Sequence, residues 1–208
     1  MSRIAFIFPG QGSQASGMGK ELADAFPAAK AVFDEVDAAL GEKLSALIWG
    51  GAIEELTLTA NAQPALMAVS LAAARALEAG FGVKISTAAF VAGHSLGEYS
   101  ALAAAGALSV TDAARLLRKR GQAMQAAAPA GTGAMAALIG KVDVEAAEII
   151  ALEAGGAGTV VVANDNNVGN VVISGSKAGV EAAIAVAKAT GFKAISLPVS
   201  APFHSPLM

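Results

Sequence analysis

An α/β fold carrying a small second subdomain is predicted by three features of this 208-residue sequence. The apolar run Phe90-Val91-Ala92 breaks at Gly93 and restarts after Gly97 as an Ala-rich helical pattern, the signature of a central strand entering a helix through a tight corner. Arg3 to Phe8 is mostly apolar, as a parallel strand covered on both faces would be. From Thr132 onward, short strand and helix patterns follow one another in the order βαββαβ, which is the ferredoxin-like arrangement. The expected organisation is therefore a larger core over 1–130 and 198–208, with an inserted subdomain over 131–197.

Composition narrows the function classes. Apolar residues make up 55% of the chain and mean hydropathy is +0.57, but much of this is alanine, which favours helices covering a sheet over a membrane span. The longest uncharged run, Gly121 to Gly140, is broken by Pro129, Gly131 and Gly133. Ile4 to Phe8 is too short for a signal h-region and runs into Pro9-Gly10, so a cytoplasmic location is expected. Cysteine is absent, which excludes disulfides, thiolate chemistry and the usual zinc cages. With only His94 and His204 and no paired-carboxylate pattern, no metal is expected. A formal charge of -3 with a single Trp and a single Tyr argues against nucleic acid.

Ser95 sits at the corner between Gly93 and Gly97. The Gly-x-Ser-x-Gly spacing is that of a nucleophile held out on a strained turn, with helix N–H groups aimed at what it attacks. Ser95 with Glu98 also fits a capping box, and both readings stand at this point.

The loop Pro9 to Gln14 offers a rival chemistry. Gly10-x-Gly12-x-x-Ala15 satisfies the dinucleotide fingerprint, which needs an acidic residue ending a second strand about twenty residues on. Asp34, Glu35 and Asp37 fall instead on the polar side of a helical pattern over Ala28 to Leu40, so nucleotide binding is set aside. Asn61-Ala62-Gln63-Pro64 reads as a helix start with Pro64 in the first turn, and the helix runs to Gly80. Its Ala65, Met67, Ala68, Leu71 and Ala72 are core residues, and Gln63, which could face a site, is expected rather to make a local structural hydrogen bond. A strand over Ala88 to Ala92 and a helix ending at Gly106 frame the corner. Ser109 with Asp112 forms a capping box.

The helix that this box opens places Ala113, Leu117, Arg120 and Met124 on one stripe. Arg115, Arg118 and Lys119 project elsewhere and are expected in solvent, whereas Arg120 on an apolar surface needs an anion. A buried Asp or Glu and a substrate carboxylate are equally compatible with it.

In the small subdomain the patterns predict strands at 134–139, 159–163, 171–174 and 193–197 and helices at 144–154 and 178–189, with a turn at Asn164 to Asn167 and Gly169. Pro198 to Pro206 then holds His204 on a stiff loop. His94, beside Ser95 on the corner, would normally point away from the reaction face, which leaves His204 as the imidazole able to act as general base.

Together these stretches resemble the malonyl-CoA:acyl carrier protein transacylases of type II fatty acid synthesis. Phe8-Pro9-Gly10-Gln11-Gly12-Ser13-Gln14, Gln63-Pro64-Ala65-Leu66, Gly93-His94-Ser95-Leu96-Gly97-Glu98, Arg120-Gly121 with Met124-Gln125, Gly131-Thr132-Gly133-Ala134-Met135, and Pro198-Val199-Ser200 ahead of His204 are similar to that family's motifs in its order. The resemblance implies an α/β-hydrolase-like core with a ferredoxin-like insert. It implies Ser95 as nucleophile, His204 as base and acid, and the backbone N–H groups of Gln11 and Leu96 as oxyanion hole. Gln11 and Arg120 would bind substrate, with Arg120 gripping the free malonyl carboxylate.

The implied substrates are malonyl-CoA and the phosphopantetheine thiol of acyl carrier protein, with no cofactor, no membrane partner and a monomeric enzyme. Acyl carrier proteins are acidic, so Arg115, Arg118, Lys119, Lys188 and Lys193 are docking candidates. Phe203 resembles the aromatic position of malonyl-selective members. Family members continue well past the histidine, so a truncated product or a missing second piece is expected. A serine hydrolase or thioesterase is the alternative, but Asp112, Asp143 and Asp165 read as cap, pre-helix and turn residues rather than a triad acid. An inactive fragment is the third possibility.

Overall fold

The computed structural model describes residues 4–129, 131–199 and 201–208. Arg3 of the expected first strand, Ala130 at the expected subdomain boundary and Ser200 of the motif ahead of His204 lie outside the described residues. The chain divides into two compact units, Met1–Gln122 and Ala123–Met208.

The first unit contains β1 (Ala5–Phe8), α1 (Lys20–Ala25), α2 (Pro27–Leu40), α3 (Leu44–Gly50), α4 (Ile53–Thr57), α5 (Thr59–Phe81), β2 (Phe90–Gly93) and α6 (Gly97–Ala104). It also holds most of α7 (Val110–Ala127), whose last turn belongs to the second unit. Strands β1 and β2 pair in parallel, Ala5 opposite Phe90 and Phe8 opposite Gly93. Ala5, Ile7, Phe90 and Ala92 share the open face, where Ile7 is 79% and Phe90 67% exposed. The pair is thus covered on one face only, not on both as the apolar run predicts.

Helix α5 runs through the core of this unit. It is long and apolar enough to cross a membrane by those measures alone, the one such helix among the described residues, yet Ala62, Ala65, Met67, Ala68 and Ala72 on it are fully buried. Around it pack Phe33 of α2, in an edge contact with Trp49, and Leu56, Leu96 and Leu117. The helix begins at Thr59 rather than at Asn61, because Leu58 is extended and its carbonyl accepts the N–H groups of Asn61 and Ala62, each at 2.8 Å. Pro64 therefore lies inside the helix, where its ring removes the bond that would close on Ala60.

Two charged residues expected in solvent are drawn inward. Asp37 is 4% exposed and accepts from the Ser45 N–H at 2.9 Å and the Ser45 hydroxyl at 2.7 Å, capping the start of α3. Burial of a carboxylate requires such donors, and these come from the next helix. Arg118 is only 15% exposed because Glu42 pairs with its guanidinium and Asn61 accepts from it. The box at the start of α7 forms as expected: the Ser109 hydroxyl accepts from the Asp112 N–H at 2.9 Å and donates to its carboxylate at 2.7 Å.

The second unit contains β3 (Gly133–Ile139), α8 (Val144–Ala154), β4 (Val160–Asn167), β5 (Asn170–Ser176), α9 (Lys177–Ala189) and β6 (Lys193–Ser196). Its sheet has the order β4-β5-β3-β6 and every neighbouring pair is antiparallel. Alternation along β3 sends Ala136 and Leu138 to the cluster formed with α8 and α9, and Met135 and Ala137 to a second cluster with Val172, Ala201 and Phe203. Asp143 and Ser176 cap α8 and α9. The expected turn at Asn164 to Asn167 is instead the end of β4: two register shifts bulge the strand there, and the reversal falls at Val168 and Gly169, the latter at φ +82°. Bulges tolerate Asn and Asp where a regular ladder disfavours them.

Because Asp37 supplies two buried hydrogen bonds, Asp37→Ala is expected to cost about 2 kcal/mol. Urea unfolding measures it, and a change under about 0.5 kcal/mol would mean that the cap contributes no more than a surface contact.

Candidate functional site

The corner after β2 is built by backbone crowding. A Cβ on Gly93 would lie 1.9 Å from the Gly97 carbonyl carbon and 2.2 Å from the Glu98 nitrogen, and one on Gly97 would lie 2.4 Å from the Phe8 oxygen. Only glycine fits at either position. The His94 N–H donates to the Phe8 carbonyl at 3.1 Å, and the Gly97 N–H to the His94 carbonyl at 2.9 Å, so the end of β1 and the start of α6 hold the corner from both sides. Ser95, between them, is forced to φ +53°. Such a backbone costs a non-glycine residue about 1–3 kcal/mol and persists only where its surroundings impose it.

The loop after β1 lies against this corner, since a Cβ on Gly10 would meet His94 Nδ1 at 2.4 Å. The adjacent Gln11 side chain accepts from the Thr59 hydroxyl at 2.9 Å. Gln63, fully buried, donates from Nε2 to the Thr59 hydroxyl at 2.8 Å and accepts at Oε1 from Arg120 Nη1 at 2.6 Å. Arg120 Nη2 donates to Ser95 Oγ at 3.0 Å, and the guanidinium carbon stands 5.8 Å from the centre of the Tyr99 ring. Of the residues singled out in sequence, the structure thus brings together Ser95, Arg120, Gln63 and Gln11. Leu96, 1% exposed, directly precedes α6.

Arg120 is half-buried, and burial lowers its pKa while Tyr99 and Glu98 pull the other way; a guanidinium remains charged at neutral pH all the same. Among the described residues no carboxylate lies within ion-pair distance of Arg120, and its hydrogen-bond acceptors are a neutral amide and a hydroxyl. A structural salt bridge to a buried Asp or Glu therefore does not account for the arginine on this stripe.

His204 belongs to the second unit. It is exposed at φ +58°, following the buried Ala201, Pro202 and Phe203. The Ser205 hydroxyl donates to the Pro202 carbonyl at 2.7 Å, and Pro202 packs on Gly133 so closely that a Cβ there would meet its ring at 2.3 Å. Among the described residues, Ser95 and His204 are the two non-glycine positions with positive φ. Strain of this kind concentrates at functional positions.

No motif in the sequence singles out Thr59, and for Gln63 the sequence favours a local bond over facing a site. Their four-residue spacing on one helix face was the available signal, since such residues are neighbours on a helix.

The acyl transferase domain family matches residues 5–208, and the chain belongs to that family. Among named relatives, it is 56% identical over 211 residues to the malonyl CoA-acyl carrier protein transacylase of Bacillus subtilis strain 168, with 100% of this chain and 65% of the relative covered. The crystal structure of the acyl-carrier-protein-S-malonyltransferase from Bartonella henselae superposes with a TM-score of 0.94 at 57% identity, covering 99% of this chain and 66% of that one. A malonyl-transacylase in complex with a type II PKS acyl-carrier protein gives 0.93 at 45% identity, covering 100% and 66%. The chain spans about two thirds of the length of these relatives, 65% and 66%.

Replacing Gly93 by alanine puts a methyl group into the α6 backbone. Gly93→Ala is expected to lower stability by about 3 kcal/mol or more, read by urea unfolding, and a near-neutral effect would contradict the crowding that sets Ser95.

Proposed function

We propose that this chain carries the chemistry of a malonyl-CoA:acyl carrier protein transacylase. The observation that carries the reading is Arg120: a half-buried guanidinium 3.0 Å from Ser95 Oγ, with no carboxylate of the described residues paired to it. A substrate with a thioester at one end and a carboxylate at the other fits that spacing of nucleophile and cation.

Ser95 Oγ attacks the thioester carbonyl while His204 takes its proton, and the tetrahedral oxyanion is held by the backbone N–H groups of Gln11 and Leu96. Collapse expels the coenzyme A thiol, protonated by His204, and leaves malonyl-Ser95. The phosphopantetheine thiol then gives its proton to His204, attacks the ester and carries the malonyl group away, regenerating Ser95. The Arg120 contact supports the first step, because arginine has donors only. Ser95 Oγ accepts at that contact and keeps its own proton for the base. No cofactor is required by these steps.

In fold terms Ser95 marks the nucleophile elbow of an α/β-hydrolase-like core, a reading supported by the parallel β1–β2 pair and the strand-to-helix corner. The strand–helix–strand–strand–helix–strand succession and the order β4-β5-β3-β6 support a ferredoxin-like second subdomain. We place the subdomain over 131–197 and the core over 1–130 and 198–208. The enzyme is read as a cytoplasmic monomer. The exposed Lys119, Lys188 and Lys193, with Arg115, are the basic groups for an acidic carrier; Arg118 is engaged by Glu42. The hydrolase alternative finds little support, since Asp112 and Asp143 act as helix-capping groups.

Mass spectrometry after incubation with malonyl-CoA tests the reading. A malonyl adduct on Ser95 is expected, with none in Ser95→Ala, and Arg120→Ala is expected to lose about a hundredfold in the rate of malonyl loading relative to acetyl loading. An adduct on another residue, or an unchanged ratio in Arg120→Ala, would overturn it.

A further inference from the structure

Four hydrogen bonds link Ser95, Arg120, Gln63, Thr59 and Gln11, and the direction of the first three is set by the arginine. Arg120 donates at every nitrogen, so Ser95 must accept from Nη2 and Gln63 must present its carbonyl oxygen to Nη1. The Gln63 amide nitrogen is thereby turned to Thr59 and donates to its hydroxyl at 2.8 Å. That hydroxyl has one proton, and it is given to Gln11 Oε1 at 2.9 Å. A Gln amide can flip and a hydroxyl can rotate, but flipping Gln63 would set its Nε2 against Arg120 Nη1, two donors face to face, and turning the Thr59 proton away would set its oxygen against Gln11 Oε1, two acceptors.

Thr59 is the joint of this chain. It is fully buried, it opens α5 and it touches both the α5–α7 side, through Gln63, and the loop after β1, through Gln11. The α7 backbone packs closely on the start of α5: a Cβ on Gly121, next to Arg120, would lie 2.6 Å from the Thr59 carbonyl oxygen and from Ala60 Cα.

We propose that Thr59 is a positioning residue that ties the carboxylate-gripping guanidinium to the loop bearing Gln11, so that the two ends of the acyl group are held at a fixed separation. The inference rests on the transacylase reading above. Thr59 touches neither end of the substrate; it acts by fixing the flip of Gln63, and hence the aim of Arg120, and by anchoring the Gln11 side chain. Buried polar chains of this kind act as a unit, and one deletion disorders both ends.

The test compares Thr59→Val, which keeps shape and removes the hydroxyl, with Thr59→Ser, which keeps the hydroxyl. Initial rates of Ser95 loading from malonyl-CoA and from acetyl-CoA are read by mass spectrometry, and the side-chain nitrogen resonances of Arg120 by NMR on the unliganded chain. Thr59→Val is expected to shift the Arg120 resonances and to lower the malonyl-to-acetyl loading ratio about tenfold, and Thr59→Ser to restore both. A purely structural threonine would lower the two loading rates in proportion and leave their ratio intact, and that result would overturn the proposal. Unchanged Arg120 resonances in Thr59→Val would overturn it whatever the loading rates do. If the unsubstituted chain is not loaded on Ser95 at all, the transacylase reading fails, while the resonance comparison still decides whether Thr59 aims Arg120.

Discussion

Backbone crowding at the corner after β2 is the constraint on which the rest of the site depends. Gly93 stands against the α6 backbone, Gly97 against Phe8, and Gly10 against His94, all at distances that no side chain could occupy. Two segments far apart in sequence, 8–10 and 93–98, are locked together by the absence of three Cβ atoms. The strained φ of Ser95 follows from this, since the residue between two such contacts has no other path from strand to helix. The position of its hydroxyl therefore depends both on the local Gly93–Gly97 contact and on the segment 8–10 that packs against it.

Electrostatics completes what packing begins. An apolar stripe on α7 carries Arg120 into the unit, where burial penalises its charge, Tyr99 and Glu98 offset part of that penalty, and no carboxylate among the described residues lies within ion-pair distance. Neutral acceptors and the Tyr99 face hold the guanidinium in place and leave its charge unneutralised. A site prepared in this way favours a ligand that brings its own anion, and disfavours one of similar size that does not. On the transacylase reading proposed above, selectivity for a carboxylated acyl group comes from the same arginine that donates to Ser95 Oγ.

Much of this was legible in the sequence, and the parts that were not share a cause. Gly93-x-Ser95-x-Gly97 announces a corner because the steric rule is local, and the Ser109 and Asp112 box is legible for the same reason. The succession of strands and helices after Thr132 could be read from periodicity alone. Asp37, Arg118 and Thr59 could not be read in this way, because each depends on a partner brought by another element: Ser45 for Asp37, Glu42 for Arg118, Gln11 for Thr59. The Asn164 to Asn167 stretch misled for a related reason. Its residues favour a turn, but pairing with β5 draws them into a bulged strand and moves the reversal to Val168 and Gly169.

The arrangement of Ser95 and Arg120 can be tested most directly by a crystal structure of the chain after reaction with malonyl-CoA. The acyl group should be esterified to Ser95 Oγ, with its free carboxylate within hydrogen-bond distance of the Arg120 guanidinium. A carboxylate turned out to solvent, or an acyl group on any other residue, would contradict the assignment of these two side chains.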